Sequence, residues 1–304
     1  MIVTVTYNPA VDQTLQFDEP MDADSILRAT DARFNAGGKG INVARYLTGL
    51  DRPCVATGIV GGFTGEFISD ELQDDGIETD FVHVDGPTRL NTTAIAAGEE
   101  YKLNHDSAPV APATIDEMVE TVQSLGPERV VVSGSLPPGV SIDDVDRIAR
   151  AGDWDTVVDM GGTYLTQLES TYALCKPNRD ELAEATGTDV STVAGCAEAA
   201  DSFRDEGFDR VLASMGADGA VLATGSELLY AEALDVDVVD TVGAGDSLLS
   251  GAVAAWDEGA DDRTALRTGV AVSSRLVQAA GTDVNSFDGV EAARDRVTVR
   301  RLDE

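Results

Sequence analysis

Short β-branched runs alternate with helical patterns along most of the chain. Residues 55–59 precede a helical pattern over 64–75, and residues 130–133 precede one over 142–151. Alternation of this kind predicts a mostly parallel sheet with right-handed crossovers and helices on both faces. Ligands of such sheets bind at the carboxyl ends of the strands.

Two stretches break the alternation, residues 14–34 and 89–104, where period-two patterns occur without a long helix. Turns that contain Gly or Pro separate both from the rest of the chain. We therefore predict a small antiparallel β-sheet lid, built from two insertions at about 13–34 and 88–105, over the strand ends. No linker, repeat or low-complexity segment divides the remainder, so residues 1–304 are predicted to form a single domain.

The charge balance excludes two classes of partner. The chain has 55 acidic and 21 basic residues, a formal net charge of −34, and this repels nucleic-acid backbones and anionic membranes alike. The acidic residues are dispersed, and a hydrophobic content of 43% argues against general disorder. A basic protein partner is one interpretation of this surface, but solubility in the concentrated salt of a halophile's cytoplasm is the one we favour.

The cysteines and the apolar runs indicate the same compartment. Cys54, Cys175 and Cys196 are odd in number and far apart, which favours neither disulfides nor a zinc site. No apolar run approaches the roughly 18 residues that a membrane span requires. A reducing cytoplasm is the expected location.

Lysine is scarce, since only three of the 21 basic residues are lysine: Lys39, Lys102 and Lys176. Lys39 lies in a Gly-rich segment and Lys176 precedes a proline. A compact ammonium group in such a loop suits a phosphate ligand, although chance survival in loops would also explain the positions.

The most informative segment is residues 240–247, DTVGAGDS. A strand pattern over 234–239 precedes it, and a helical pattern over 248–256 follows. Gly243 and Gly245 allow the backbone to approach a ligand closely, and the free N–H groups of the first helical turn form an anion site.

Asp246 lies in that first turn, where the helix dipole keeps a carboxylate ionised and able to accept a proton. The plainer interpretation is a helix entry, with Asp240 or Thr241 as the cap and Asp246 merely favourable to the dipole.

Together with residues 34–44, FNAGGKGINVA, this segment resembles the two signature motifs of the PfkB (ribokinase-like) carbohydrate kinases. The two motifs lie about 200 residues apart in the family's order, and the resemblance covers essentially the whole chain. It implies a ribokinase-like three-layer α/β/α fold with a β-sheet lid, ATP with Mg²⁺ and, in many members, activation by a monovalent cation such as K⁺. No G-x-x-x-x-G-K-[ST] loop is present, which excludes a P-loop kinase.

The resemblance assigns roles around the second motif. It implies that Asp246 is the catalytic base and that the amides of Gly243, Ala244 and Gly245 form the anion hole. Asp240 becomes the candidate ligand of a monovalent cation.

The first motif and the lid supply the candidate acceptor site. Gly37 and Gly38 precede a helix that is expected to begin near residue 41, and they would let a sugar lie close to the backbone. Asn42 offers both a donor and an acceptor. Asp12 aligns with the family's acidic residue that binds sugar hydroxyls.

Arg89 begins the second lid stretch, where an inward-pointing cation is costly without an anionic partner. A solvated edge-strand arginine is the alternative. With the segment SGSLPPG around Ser135, the phrase TRLN is similar to the branch of the family that handles phosphorylated ketohexoses. We therefore expect Lys39 and Arg89 to bind the acceptor's existing phosphate, with Ser135 beside them.

Residues 176–181, KPNRDE, are the candidate site for Mg²⁺ and the ATP phosphates. By resemblance, Asn178 and Glu181 would order the metal and its waters, in keeping with the hydration shell that Mg²⁺ retains. A helix cap with a reciprocal glutamate explains the same spacing. Lys176 is assigned to the nucleotide.

A glycine turn at residues 214–219 is the second candidate nucleotide segment. Ser214, Gly216 and Gly219 resemble the family's nucleotide-side turn, but an ordinary hairpin would also use Asp218-Gly219. By analogy, a helical pattern over 270–280 and the following Gly281 would flank the adenine.

These assignments predict transfer of the ATP γ-phosphoryl group to a phosphorylated ketohexose, fructose 1-phosphate to fructose 1,6-bisphosphate. A kinase for tagatose 6-phosphate, fructose 6-phosphate or 2-keto-3-deoxygluconate remains open, as does a non-catalytic sugar or nucleotide sensor. A homodimer through the lid is expected by family analogy, because exposed sheet edges need covering. His83 and His105 are isolated and are interpreted as structural.

Overall fold

The computed structural model describes residues 1–24, 26–279, 281 and 287–302. The strands are β1 Ile2–Thr6, β2 Ala10–Phe17, β3 Asp31–Gly37, β4 Cys54–Gly61, β5 Glu78–Thr79, β6 Val82–Val84, β7 Arg89–Ala96, β8 Glu99–Asn104, β9 Arg129–Ser133, β10 Asp155–Asp159, β11 Leu174–Cys175, β12 Arg210–Ser214, β13 Ala220–Thr224, β14 Leu228–Ala231 and β15 Val299–Arg301. The helices are α1 Lys39–Gly49, α2 Gly62–Asp74, α3 Pro112–Leu125, α4 Ile142–Arg150, α5 Gly162–Leu165, α6 Arg179–Thr186, α7 Val193–Arg204, α8 Ala244–Asp257, α9 Asp262–Leu276 and α10 Val290–Arg296.

Eleven strands form the main sheet, in the order β15-β14-β13-β12-β11-β10-β9-β1-β4-β5, with β6 also paired to β4. The pairs from β12 through β4 to β5 and β6 are parallel. The three pairs that join β12 to β15 are antiparallel. The predicted mostly parallel sheet is confirmed, with an antiparallel extension at one edge.

Helices cover both faces of this sheet and create three layers. Successive residues of a strand point to opposite faces, and in β10 the neighbours Val157 and Val158 accordingly join two different apolar clusters. One cluster contains buried residues of α1, α2, α8, α9 and α10, and the other contains those of α3, α4, α6 and α7. Strands that are buried on both faces read as continuous apolar runs, which is why they are visible in the sequence.

A second sheet of four strands lies outside the main sheet, in the order β3-β2-β7-β8. We call it the lid. The hairpins β2–β3 and β7–β8 are antiparallel, but the central pair β2–β7 is parallel, which the prediction of antiparallel strands missed. The first two strands also extend beyond 13–34, because Val11 and Ala36 continue the pairing into the buried core.

The strand predicted at residues 234–239 is wrong, because this segment is irregular. Val238 and Val239 are 60% and 63% exposed, and the Val239 amide donates to the Val277 carbonyl (2.7 Å) instead of to a strand. β-branched residues form a strand only where a partner strand is available.

Two helices begin more than one turn before their predicted patterns: α8 begins at Ala244, and α9 begins at Asp262 and ends at Leu276. Ala280, at the end of the predicted pattern, lies outside the described residues. Within the described ranges, no helix has the length and apolarity that a membrane crossing requires.

Candidate active site

The amino end of α8 forms one wall of the candidate site. Gly243 precedes the helix with φ 77° and ψ 0°, a left-handed conformation that glycine adopts at little cost. The Ala244 amide donates to the Thr241 carbonyl (3.2 Å), whereas no acceptor within the described ranges takes the amides of Gly245 and Asp246. Of the three amides predicted to form the anion hole, those of Gly243 and Gly245 therefore stay open within the described ranges, whereas that of Ala244 closes the turn.

Asp246 lies in the first turn of α8 and is only 6% exposed. Its Oδ2 accepts a hydrogen bond of 2.8 Å from Nδ2 of Asn42, which lies in α1. The two signature motifs thus meet through this bond. Asn42 was predicted to orient the acceptor, and its Oδ1, which is buried and accepts no bond from the described part of the chain, is available for that role.

Burial raises the pKa of Asp246 to about 6, and the charge of Asp159 contributes to the same rise. The hydrogen bond from Asn42 and the ammonium groups of Lys176 and Lys39 oppose it. A carboxylate with a pKa near 6 is ionised at neutral pH and is still a useful proton acceptor.

We expect the acid limb of the pH–rate profile to fall near pH 6 if Asp246 is the base. Asn42→Ala removes a bond that stabilises the ionised form, so the variant's limb should move to higher pH. The substrate phosphates also titrate in this range, but they affect the parent and the variant alike, so the difference between the two profiles reports on the enzyme. Identical limbs would show that the group which titrates is not Asp246.

Asp159, at the end of β10, organises the cations of the site. Its Oδ1 accepts from Nζ of Lys39 (2.8 Å), and its Oδ2 lies 3.2 Å from Nζ of Lys176. Asp159 and Lys176 are both buried. Two of the three lysines in the chain therefore converge on one carboxylate. Burial alone would lower the pKa of Lys39, but Asp159 and Glu181 raise it, so its ammonium is kept charged.

Sequence reasoning missed Asp159, although its position at the carboxyl end of a predicted parallel strand was an available signal. Lys39 also lies 3.8 Å from Oε1 of Glu181. Lys39 therefore lies with Lys176 and Glu181. Arg89 and Ser135 instead both contact Asn8.

Asn178 and Glu181 form the reciprocal cap at the start of α6. Oδ1 of Asn178 accepts from the Glu181 amide (2.9 Å), and Oε2 of Glu181 accepts from the Asn178 amide (2.8 Å). The second glutamate oxygen faces Lys39. Across the described residues, no three carboxylate, histidine or cysteine side chains form a direct metal cage. The amide and carboxylate oxygens of this cap are of the type that Mg²⁺ and its water shell accept as partners.

The glycine turn at residues 214–219 joins β12 to β13 through a 3₁₀ turn, Gly216–Asp218, as the hairpin interpretation requires. Ser214 also forms a β-bridge with Asn178, which places the turn beside the α6 cap. Gly219 follows the turn with φ 91°.

On the acceptor side, Asp12 in β2 accepts from Nδ2 of Asn91 in β7 (2.9 Å). A Cβ atom on Gly37 would overlap with Oδ2 of Asp12, so a larger residue at this position would displace the carboxylate. Gly38 is the cap residue of α1. Burial raises the pKa of Asp12, and the bond from Asn91 opposes the rise.

Arg89 and Ser135 both contact the β1–β2 connection. Nε and Nη2 of Arg89 donate to the carbonyls of Pro9 (3.4 Å) and Asn8 (3.2 Å). Ser135, which follows β9, accepts from Nδ2 of Asn8 (3.0 Å). Asn8 was not among the predicted site residues, although it lies just beyond the carboxyl end of β1.

Asp240 ties the loop before α8 to the end of the α9 region. Its two oxygens accept from the amides of Val242 and Gly281, both at 3.0 Å. The bond from Val242 lowers the pKa of Asp240 and keeps it ionised. An ionised carboxylate with remaining lone pairs fits a monovalent cation.

Comparisons with known proteins agree with this geometry. Residues 5–287 match the family described as "pfkB family carbohydrate kinase". The chain is 54% identical over 299 residues to 1-phosphofructokinase of Haloferax volcanii, covering 98% of both chains. It is 32% identical to 1-phosphofructokinase of Bacillus subtilis, covering 99% of this chain and 100% of the relative.

Solved structures extend the likeness to the fold. Phosphofructokinase-2 from Escherichia coli, crystallised in complex with potassium, superposes with a TM-score of 0.88 at 27% identity, covering 97% of this chain and 98% of that one. Ribokinase from Arabidopsis thaliana, complexed with ribose and ATP, shares the fold with a TM-score of 0.79 at 23% identity, covering 96% and 98%. These matches span almost the whole chain and include both signature motifs. The chain belongs to the pfkB family of carbohydrate kinases and is a sugar kinase with the ribokinase-like fold.

Proposed function

We propose that the chain transfers the γ-phosphoryl group of ATP to the primary hydroxyl of fructose 1-phosphate and so produces fructose 1,6-bisphosphate. The observation that carries the chemistry is a buried carboxylate, Asp246, beside open amides at the start of α8. The choice of acceptor is supported by the Haloferax volcanii and Bacillus subtilis relatives, both named 1-phosphofructokinase.

In this proposal Asp246 takes the proton from the attacking hydroxyl, and Asn42 holds the carboxylate in place. The amides of Gly243 and Gly245 stabilise the charge that develops on the transferred group. Because phosphoryl transfer demands little covalent chemistry from the protein, positioning and charge stabilisation supply most of the catalysis.

Lys39 was predicted to bind the acceptor's phosphate, but because it shares Asp159 with Lys176 we propose instead that both lysines balance the charge of the ATP phosphates. Bound Mg²⁺ would neutralise phosphate charge, with Asn178 and Glu181 holding its waters. Ser214, Gly216 and Gly219 would line the nucleotide. We assign K⁺ to Asp240, supported by the ionised state of that carboxylate.

On the acceptor side, Asp12 orients the sugar hydroxyls and Gly37 and Gly38 let the sugar approach the backbone. Arg89 and Ser135 hold the existing phosphate. Arg89 fits this role because no carboxylate oxygen in the described ranges lies within 4.0 Å of its guanidinium.

An ADP-release assay in molar KCl tests the proposal across a panel of acceptors: fructose 1-phosphate, fructose 6-phosphate, tagatose 6-phosphate, tagatose 1-phosphate, 2-keto-3-deoxygluconate and free fructose. Tagatose 1-phosphate is included because a relative from Bacillus licheniformis, 33% identical, is named D-tagatose-1-phosphate kinase. We expect the highest kcat/KM with fructose 1-phosphate. A higher value with another sugar would transfer the proposal to that acceptor, and no ADP release would favour a sensor.

We also propose a homodimer through the lid. Phe34 and Leu103 are 49% and 54% exposed, and the pairing Phe34–Gln13–Thr92–Leu103 places both on one face of the lid. A neighbour from Escherichia coli is described as a tetrameric inhibited form, which supports self-association. Light scattering at assay concentration should give twice the monomer mass.

The net charge of −34 leads to a prediction about salt, in keeping with a halophile's cytoplasm. The midpoint temperature of unfolding should rise steeply with KCl concentration. The Debye screening length shortens to about 3 Å near 1 M salt, and this reduces the repulsion between carboxylates. Thermal unfolding between low and molar KCl measures this. A midpoint that does not respond to KCl would contradict it.

A further inference from the structure

Asn8 lies where the chain passes from the main sheet into the lid, between the end of β1 at Thr6 and the start of β2 at Ala10. Its side chain contacts Ser135, which follows β9, and Ser107, which follows β8. Its backbone carbonyl accepts from Arg89, the first residue of β7. One residue therefore touches both candidate ligands of the acceptor's phosphate and links the lid to the main sheet.

The two side-chain bonds have opposite polarity. An amide Nδ2 can only donate, and an amide Oδ1 can only accept. The Ser107 hydroxyl gives its single hydrogen to Oδ1 of Asn8 at 2.7 Å. Nδ2 of Asn8 donates to the Ser135 oxygen at 3.0 Å. The hydrogen of Ser107 is thus committed, whereas the hydrogen of Ser135 is left for another acceptor.

This polarity favours an anion beside Ser135. A hydroxyl that accepts a hydrogen bond is polarised and becomes a better donor. On the other side of Asn8, two nitrogens of Arg89 are held by the Asn8 and Pro9 carbonyls, which fixes the plane of the guanidinium. A fixed guanidinium plane suits recognition of a phosphate.

We infer that Asn8 is a positioning residue for the acceptor's existing phosphate: Ser107 locks the Asn8 amide, Asn8 turns the Ser135 hydrogen toward the phosphate, and its carbonyl aims Arg89. The inference rests on the proposed function in one respect, the presence of a phosphate on the acceptor. Asn8 itself does not touch the reacting atoms.

Two substitutions separate orientation from volume. Asn8→Ala removes the bond to Ser135 and frees its hydroxyl, so the Kd and KM for fructose 1-phosphate should rise by about 2-fold to 12-fold, the range of one neutral hydrogen bond. Asn8→Asp keeps the shape but replaces the donor with a carboxylate that accepts the Ser135 hydrogen and repels the phosphate. Its Kd should rise by about 10-fold to 150-fold, the range of a bond to a charged group.

Ser107→Ala should act in the same direction as Asn8→Ala but more weakly, because the amide loses its lock and keeps its donor. The matched control is Ser124→Ala, which removes an exposed hydroxyl that bonds only to the Thr121 carbonyl of its own helix and should change nothing. The KM for ATP and the unfolding midpoint should move little in every variant.

Calorimetric titration with fructose 1-phosphate and steady-state assays together give a decisive result. A larger loss for Asn8→Asp than for Asn8→Ala, confined to the phosphorylated sugar, supports the inference. Equal losses of affinity in Asn8→Asp and Asn8→Ala would show that Asn8 is a structural residue and would overturn the inference. A loss of affinity for ATP as large as that for fructose 1-phosphate would do the same. A parent protein that binds fructose 1-phosphate without phosphorylating it would refute the proposed function alone, and a parent that does not bind it would refute both.

Discussion

Asp246→Asn is expected to lower kcat by about 10²-fold to 10⁴-fold, because it removes the proton acceptor without changing the volume of the side chain. The carbonyl of the new amide can still accept the bond that Asn42 donates to Asp246 (2.8 Å), so ATP binding and the fold should persist. Steady-state kinetics with saturating ATP and acceptor measures the loss.

The same substitution should raise stability at neutral pH. Burial lifts the pKa of Asp246 from 3.8 to about 6, so the folded protein favours the neutral form and loses stability as pH rises between these values. This difference in pKa corresponds to a loss of at most about 3 kcal/mol in the free energy of unfolding, and the loss is complete at pH 8. We therefore expect Asp246→Asn to melt at a higher temperature than the parent at pH 8 but not at pH 4.

Asp143→Asn is the matched control, since Asp143 is an exposed carboxylate in the first turn of another helix, α4. It should leave kcat unchanged and should not reproduce the gain in melting temperature. If Asp246→Asn kept activity within a few-fold of the parent, another group would have to be the base.

Arg89→Ala is expected to raise the KM for the phosphorylated acceptor by about 10-fold to 150-fold, because a charged hydrogen bond contributes about 1.5–3 kcal/mol. The Asn8 and Pro9 carbonyls hold Nε and Nη2, and no described residue accepts from Nη1, which leaves that edge for the phosphate. The KM for ATP should move little, and kcat/KM for free fructose should stay near that of the parent.

Arg89→Lys is the informative control, because it keeps the charge and loses the planar fork. Its KM should lie between those of the parent and Arg89→Ala. Equal losses on phosphorylated and free fructose would place Arg89 in the structure of the lid and remove its role in recognising phosphate.

The alternation of strands and helices was predictable, because the parallel strands are buried on both faces and appear as continuous apolar runs. The site proposed at the amino end of α8 was predictable for a different reason: Gly243, Gly245 and Asp246 lie within one short segment. The strand at 234–239 failed since β propensity carries no information about whether a partner strand is available.

The rest of the site depends on contacts between distant segments. Lys39 and Asp159 are 120 positions apart, and Asn8 is 127 positions from Ser135. Neither pair has a local pattern, so only the folded sheet, which brings the carboxyl ends of its strands together, reveals them. The capping box of Asn178 and Glu181 shows the opposite difficulty. Helix capping alone explains the spacing of these two residues, so the spacing gives no information about a role in metal binding.

The most direct test of the central claim is the product itself. Purified protein is incubated with ATP, Mg²⁺ and fructose 1-phosphate in molar KCl, and ³¹P NMR follows the reaction beside an ADP assay. We predict a new phosphorus resonance from a phosphate group on the C6 oxygen of the sugar. This product should form in a one-to-one ratio with ADP and should be almost absent with Asp246→Asn. ADP release without fructose 1,6-bisphosphate, or bisphosphate formed by Asp246→Asn at the parent's rate, would contradict the account.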